Sequence, residues 1–173
     1  KDTAAAEDYD VSIDQNFINE GNQEKFSFTL ENAEDNSTIN YTISDGSSNT
    51  EDITGTVEDV KVDEDGNVQV DGIDVSGLYD GDLTLTATLT DEAGNEGEEK
   101  TDSVIKDTEA PEDYDVSIDQ DIINEGNQEA FSFTLENAED KSTVNYTISD
   151  GDSNTEDITG TVEDVKVDED GNV

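Results

Sequence analysis

Leu83-Thr84-Leu85-Thr86-Ala87-Thr88-Leu89-Thr90 decides the fold of this chain. Apolar and hydroxyl side chains alternate strictly, which is the period of a β-strand with one buried face and one wet face. The same period recurs on the N-terminal side. Tyr9, Val11 and Ile13 alternate with Asp10, Ser12 and Asp14, and Phe26, Phe28 and Leu30 with Ser27 and Thr29. Ile39, Tyr41 and Ile43 are separated by Asn40 and Thr42. Ile53, Val57, Val60 and Val62 form a looser run, followed by Val68 and Val70, and a polar strand is expected over 100–105. No stretch sustains a helical period. About seven short strands joined by Gly-, Asn- and Asp-rich turns predict an all-β antiparallel sandwich.

That pattern is written almost twice. Residues 1–68 return as residues 106–173, and only eight positions differ: Ala4/Glu109, Ala6/Pro111, Asn16/Asp121, Phe17/Ile122, Lys25/Ala130, Asn36/Lys141, Ile39/Val144 and Ser47/Asp152. A self-similar period of one sandwich domain implies a tandem array. Residues 1–105 are expected to be one complete repeat, and residues 106–173 the first two thirds of a second. The chain thus reads as an excerpt from a longer array. The connector around Lys106-Asp107-Thr108-Glu109-Ala110-Pro111-Glu112 carries the only proline, which fixes its own φ and holds Ala110 extended.

Forty-nine acids against seven lysines, with no arginine or histidine, give a net charge of −42. A field of that sign repels nucleic acids and anionic membrane surfaces. Such a charge on so few apolar residues would ordinarily favour disorder. The strict alternation, with acids concentrated between the strands, opposes that outcome, and cations bound to the surface would relieve the repulsion. Without Cys or His there is no disulfide framework and no ordinary zinc site. Catalysis is not expected: no histidine is present to activate a nucleophile, and no tryptophan to line a glycosidase cleft. No apolar run is long enough to span a bilayer.

Carboxylates are therefore the chemistry-bearing groups. In an immunoglobulin-like topology, three acidic loops fall at the leading end, where the chain enters the domain. They are 31–35, the turn Asp63-Glu64-Asp65-Gly66-Asn67, and Asp91-Glu92-Ala93-Gly94-Asn95, which correspond to the B–C, D–E and F–G connections. Asp2 arrives there too, and Glu139-Asp140 is the second copy of the first loop's Glu34-Asp35. The trailing end receives Asp80, Asp82, Asp107 and Glu109. Oxygen donors on flexible loops suit Ca²⁺ better than Mg²⁺. The expectation is that Ca²⁺ at the joints turns a repulsive string of repeats into a stiff rod. Each cluster also has a plainer reading: Asp65-Gly66 is a hairpin-turn signal, Asp80-Gly81-Asp82 suits a turn equally well, strand-face acids such as Asp10 and Asp14 read as solvated surface, and the whole acidic balance suits life in high salt.

The segment Leu83–Asn95, with its Thr-rich strand running into Asp91-Glu92-Ala93-Gly94-Asn95, resembles the closing pattern of bacterial immunoglobulin-like repeats. Lys106-Asp107-Thr108-Glu109-Ala110-Pro111 resembles their linker, although Lys106 stands where an apolar residue is usual. The resemblance implies extender repeats of giant calcium-dependent surface adhesins: secreted, held at the bacterial surface, and serving cell-surface or biofilm adhesion. It also implies Asp91, Asn95 and Asp107 as calcium ligands, with Asp2 the counterpart of Asp107. The implied partners are neighbouring repeats of the same chain, with host or surface ligands bound by other domains. The alternative expectation is a self-assembling extracellular filament, in which another chain completes the second repeat.

Overall fold

The computed structural model describes residues 8–168 and 171–173. The chain divides into two compact units, Lys1–Glu109 and Ala110–Val173. Among the described residues, helix is confined to two single 3₁₀ turns, Gln23–Lys25 and Gln128–Ala130.

Among its described residues, unit 1 holds seven strands: β1 (Asp10–Ile13), β2 (Phe26–Glu31), β3 (Thr38–Ser44), β4 (Ile53–Val57), β5 (Val68–Ile73), β6 (Gly81–Thr90) and β7 (Lys100–Lys106). They form an antiparallel three-stranded sheet, β1-β2-β5, and an antiparallel four-stranded sheet, β4-β3-β6-β7. The period-2 pattern sets the layering. Leu83, Leu85, Ala87 and Leu89 of β6 are fully buried against Phe26, Phe28 and Leu30 of β2, in a core that also holds Tyr9, Ile39 and Ile43. The threonines between those leucines form rows on the outer face, where Thr86 lies opposite Thr42 on β3 and Thr101 on β7.

Two expectations need correction. The run from Ile53 to Val62 is not one strand: β4 ends at Val57, and Val60 turns back to cap the β2–β3 loop. Its N–H donates to the Ser37 carbonyl at 3.0 Å, and its carbonyl accepts from the Asn36 N–H at 2.8 Å. The Asp63–Asn67 turn forms, with Gly66 at φ +83, but it is not a hairpin between paired strands. The strand before it, β4, pairs with β3, so the connection crosses from the four-stranded to the three-stranded sheet. Burial of Val60, a tertiary event, overrides the local hairpin signal.

Tyr41 and Gly55 form a cross-strand pair of β3 and β4. The Tyr41 ring lies on the bare glycine backbone and meets Phe28 edge-on, with ring centroids 5.2 Å apart. This is an aromatic covering an edge-strand glycine. A Cβ at residue 55 would sit 2.3 Å from the Tyr41 ring, which Phe28 holds from the other side. Gly55→Ala is therefore expected to cost about 1–3 kcal/mol through overpacking. A lowered urea midpoint for unit 1 would register it, and an unchanged midpoint would refute the contact's importance.

Unit 2 repeats the local geometry with β8 (Asp115–Ile118), β9 (Phe133–Glu136), β10 (Val144–Ile148) and β11 (Ile158–Val162). The registers of β8 with β9 and of β10 with β11 reproduce those of β1 with β2 and of β3 with β4. Leu135 exchanges two 3.0 Å backbone hydrogen bonds with Val173, where Leu30 pairs with Val68 in unit 1. Unit 2 has no strand in the place of β6 or β7 among the described residues. Tyr114 is accordingly 55% exposed, whereas its counterpart Tyr9 is 2% exposed. Val116 and Ile118 are exposed with it.

Candidate functional site

The sandwich of unit 1 places its described candidate acids at two ends. β6 starts and β7 stops at the trailing end, with Gly81 opposite Lys106 and Asp82 opposite Ile105. Asp80, Asp82, Asp107 and Glu109 are thereby brought to one edge of the molecule, as the sequence predicts. Asp80 accepts the Thr108 N–H at 2.9 Å and also bonds the Thr108 hydroxyl. Asp107 accepts the Glu109 N–H at 3.1 Å.

Asp91, Glu92 and Asn95 occupy the β6–β7 loop at the opposite, leading end, beside the β2–β3 loop and the Asp63 turn. Ala33 N–H donates to the Gly66 carbonyl at 2.8 Å, which joins the last two. Glu139 and Asp140 lie in unit 2, between β9 and β10, where Asp140 is 4.0 Å from the exposed Lys166 ammonium. An exposed pair of this kind contributes little. Asp2 lies outside the described residues. The nine described candidates thus fall in three places: the trailing end of unit 1, its leading end, and the β9–β10 connection of unit 2.

What the individual carboxylates do is mostly local. Asp91 accepts the Asn95 N–H at 2.8 Å and its side-chain amide at 2.7 Å, and these bonds hold its carboxyl below the usual range. Asp63 accepts the N–H groups of Asp65 and Asn67. Asp45 gathers the Thr50 hydroxyl and the Tyr79 N–H, and its carboxyl is likewise held low. The Asp63 and Asp91 bonds are local turn contacts, whereas the Asp45–Tyr79 bond joins the β3–β4 loop to the β5–β6 loop. Asp14 is exposed, as its reading as solvated surface expects, and it also collects side-chain hydrogen bonds. Partial burial pushes its carboxyl up, but hydrogen bonds from Ser27, Gln69 and Thr29 outweigh that and hold it low.

Three further residues tie the ends together and carry no signal in an acidic-loop reading. The Tyr9 hydroxyl donates to the Glu98 carbonyl and accepts the Leu89 N–H. Asp102 on β7 accepts the Ile13 N–H at 2.8 Å and so links the two sheets. Lys106 is 3% exposed, and its ammonium lies among main-chain carbonyls. Its place before the linker, where an apolar residue is usual, was the one available signal.

The donor set fits a hard cation in its chemistry, since every candidate ligand offers oxygen. It does not fit in geometry within the units: among the described residues, no group of three or more acidic side chains is assembled to hold an ion. Calcium at these ends therefore requires carboxylates to leave their turn contacts or to gather further donors.

No family model matches the chain, and no curated protein matches it. Among solved structures it is similar to a tetra-tandem repeat from the extending region of a large adhesion protein, at 24% identity and a TM-score of 0.43. It is also similar to a structure described in connection with host cell surface retention of a 1.5-MDa bacterial ice-binding adhesin, at 22% identity and a TM-score of 0.42. These alignments cover 99% and 90% of this chain, which spans 40% and 50% of the two neighbours.

Proposed function

We propose that this chain is a spacer from the extender region of a bacterial surface adhesin, built to hold a binding domain at a distance. The observation that carries the reading is the path of the chain through unit 1. The segment 10–18 runs beside β7 in the same direction, meeting it in a parallel bridge between Ile18 and Lys106. The chain therefore enters at one end of the sandwich and leaves at the other, as serial extension requires. Each repeat adds length on the scale of β6, whose ten residues span about 34 Å at the usual strand rise. The sequence repeat supplies the multiplicity.

Calcium belongs to the proposal as the agent that stiffens the array. With a net charge of −42 the chain repels itself, and the acids at the ends of unit 1 are the natural places for a divalent cation to collect. Because their carboxylates are engaged in local turns, binding would be coupled to loop rearrangement. X-ray scattering of the 173-residue chain in calcium and then in excess chelator tests this. The maximum dimension is expected to shrink and the profile to broaden on chelation. An unchanged maximum dimension would refute calcium stiffening, and a flexible profile in both conditions would refute the spacer reading itself.

A further inference from the structure

Lys106 is a buried cation that makes no direct ion pair among the described residues, although its charge helps to hold the carboxyl of Asp74 low. Its Nζ lies 3.1 Å from the carbonyl oxygen of Val75, 3.4 Å from that of Ser76 and 2.5 Å from that of Leu78. A lysine ammonium has three donors, and three carbonyls meet them. Burying an ammonium is costly unless each donor is satisfied. The β5–β6 loop supplies that satisfaction by folding round it. Its neighbours fix the loop further: Val75 N–H donates to the Gln23 carbonyl at 2.8 Å, and Tyr79 N–H to Asp45 at 2.7 Å.

The backbone of Lys106 sits in a second junction. Ile18 N–H donates to the Ile105 carbonyl at 2.9 Å, and Asp107 N–H to the Ile18 carbonyl at 2.8 Å. The two bonds flank Lys106 and close the parallel bridge between Ile18 and Lys106. On the same line, Asp102 accepts from Ile13 and the Tyr9 hydroxyl bonds Glu98.

We infer that Lys106 is a mechanical latch, its caged ammonium and the Ile18 junction together bearing the tension that reaches unit 1 through the linker. Tension pulls segment 8–18 toward the leading end and β7 toward the trailing end. Because the two segments are parallel neighbours, the load shears their bonds together instead of opening them one at a time. The ammonium adds three contacts to a different loop, so β7 cannot slide out without pulling Lys106 from its cage. The latch uses a cation tethered to the chain, so it holds whether or not free calcium is present. This role extends the spacer reading, since a spacer carries load.

The test is single-molecule pulling on the full 173-residue chain in chelator, with handles at positions 8 and 109 that flank unit 1. Lys106→Met fills the space but leaves three carbonyls without their donor. The lifetime of unit 1 at constant force is expected to fall about tenfold or more, from the lost charge-assisted hydrogen bonds. With handles at Ser48 and Glu92, which load the sheet along another path, the same variant should lose much less. Equal losses in both directions would reduce Lys106 to general stabilisation and overturn the latch. Wild type supplies a measurement that does not depend on the variant folding: its unfolding force should be higher through positions 8 and 109 than through 48 and 92. Equal or reversed forces would also overturn it. Neither result bears on whether scattering shows an extended, calcium-stiffened chain, so the two readings fail separately.

Discussion

Replacing Leu85 with alanine lowers the stability of unit 1 by about 2–5 kcal/mol, the range for truncating a fully buried leucine. Leu85 lies at the middle of β6, opposite Ile43 on β3 and Asp102 on β7, and is completely buried. β6 is the inner strand between β3 and β7, so a cavity there is bounded by ladders on both sides that resist collapse. One residue on, Thr86→Ala removes a side chain from the outer face and is expected to change stability by only about 0.5–1 kcal/mol, mostly through lost cross-strand threonine contacts. Small domains are stable by only about 5–15 kcal/mol, so the leucine variant loses a large part of the whole. Hydrogen exchange of the β3 and β6 amides in the intact chain measures both. Comparable losses at 85 and 86 would show that the alternation does not set the layering.

The leucine–threonine contrast also shows why so much of the fold was legible. A strand with one buried face writes its orientation into every second residue, and β1, β2, β3 and β6 all do so. Which sheet a strand joins is not written locally. The segment after Val57 carries valines at suitable spacing and a hairpin-like Asp65-Gly66, yet Val60 is drawn under the β2–β3 loop and the chain crosses to the other sheet. The acids were legible as loops and as two ends of a sandwich. Their roles were not, because an aspartate that caps its own turn, as Asp63 and Asp91 do, has the same spelling as one that awaits a cation. Lys106 was the least legible of all. Lysine is rarely buried without a partner, so a terminal strand reading Lys-Thr-Asp-Ser-Val-Ile-Lys looks wet at both ends. Its partners are carbonyls, which no side-chain pattern records.

A peptide of residues 69–106 is expected to bind unit 2 of the 173-residue chain and complete it as a sandwich. Between β8–β9 and β10–β11 lies a cleft of about 610 Å³, lined by Tyr114, Val116, Phe133, Leu135 and Tyr146 among others. Their counterparts in unit 1, Tyr9, Val11, Phe28, Leu30 and Tyr41, pack in the core that Leu83, Leu85, Ala87 and Leu89 of β6 complete. The lining differs between copies at two positions: Ile39 becomes Val144, which preserves a β-branched contact, and Ala6 becomes Pro111. β10 pairs with β11 on one side, and its other edge matches the edge of β3 that takes β6 in unit 1. Register and chemistry are thus both specified for the incoming strand. On binding, exchange protection should extend through Val144–Ile148, and a dye that reports exposed apolar surface should be released. A peptide carrying Leu85→Asp brings an unpaired carboxylate into the core and should not bind. Absence of binding by the unaltered peptide at about 0.1 mM, equivalent to an affinity weaker than about −5.5 kcal/mol, would refute the completed-sandwich geometry.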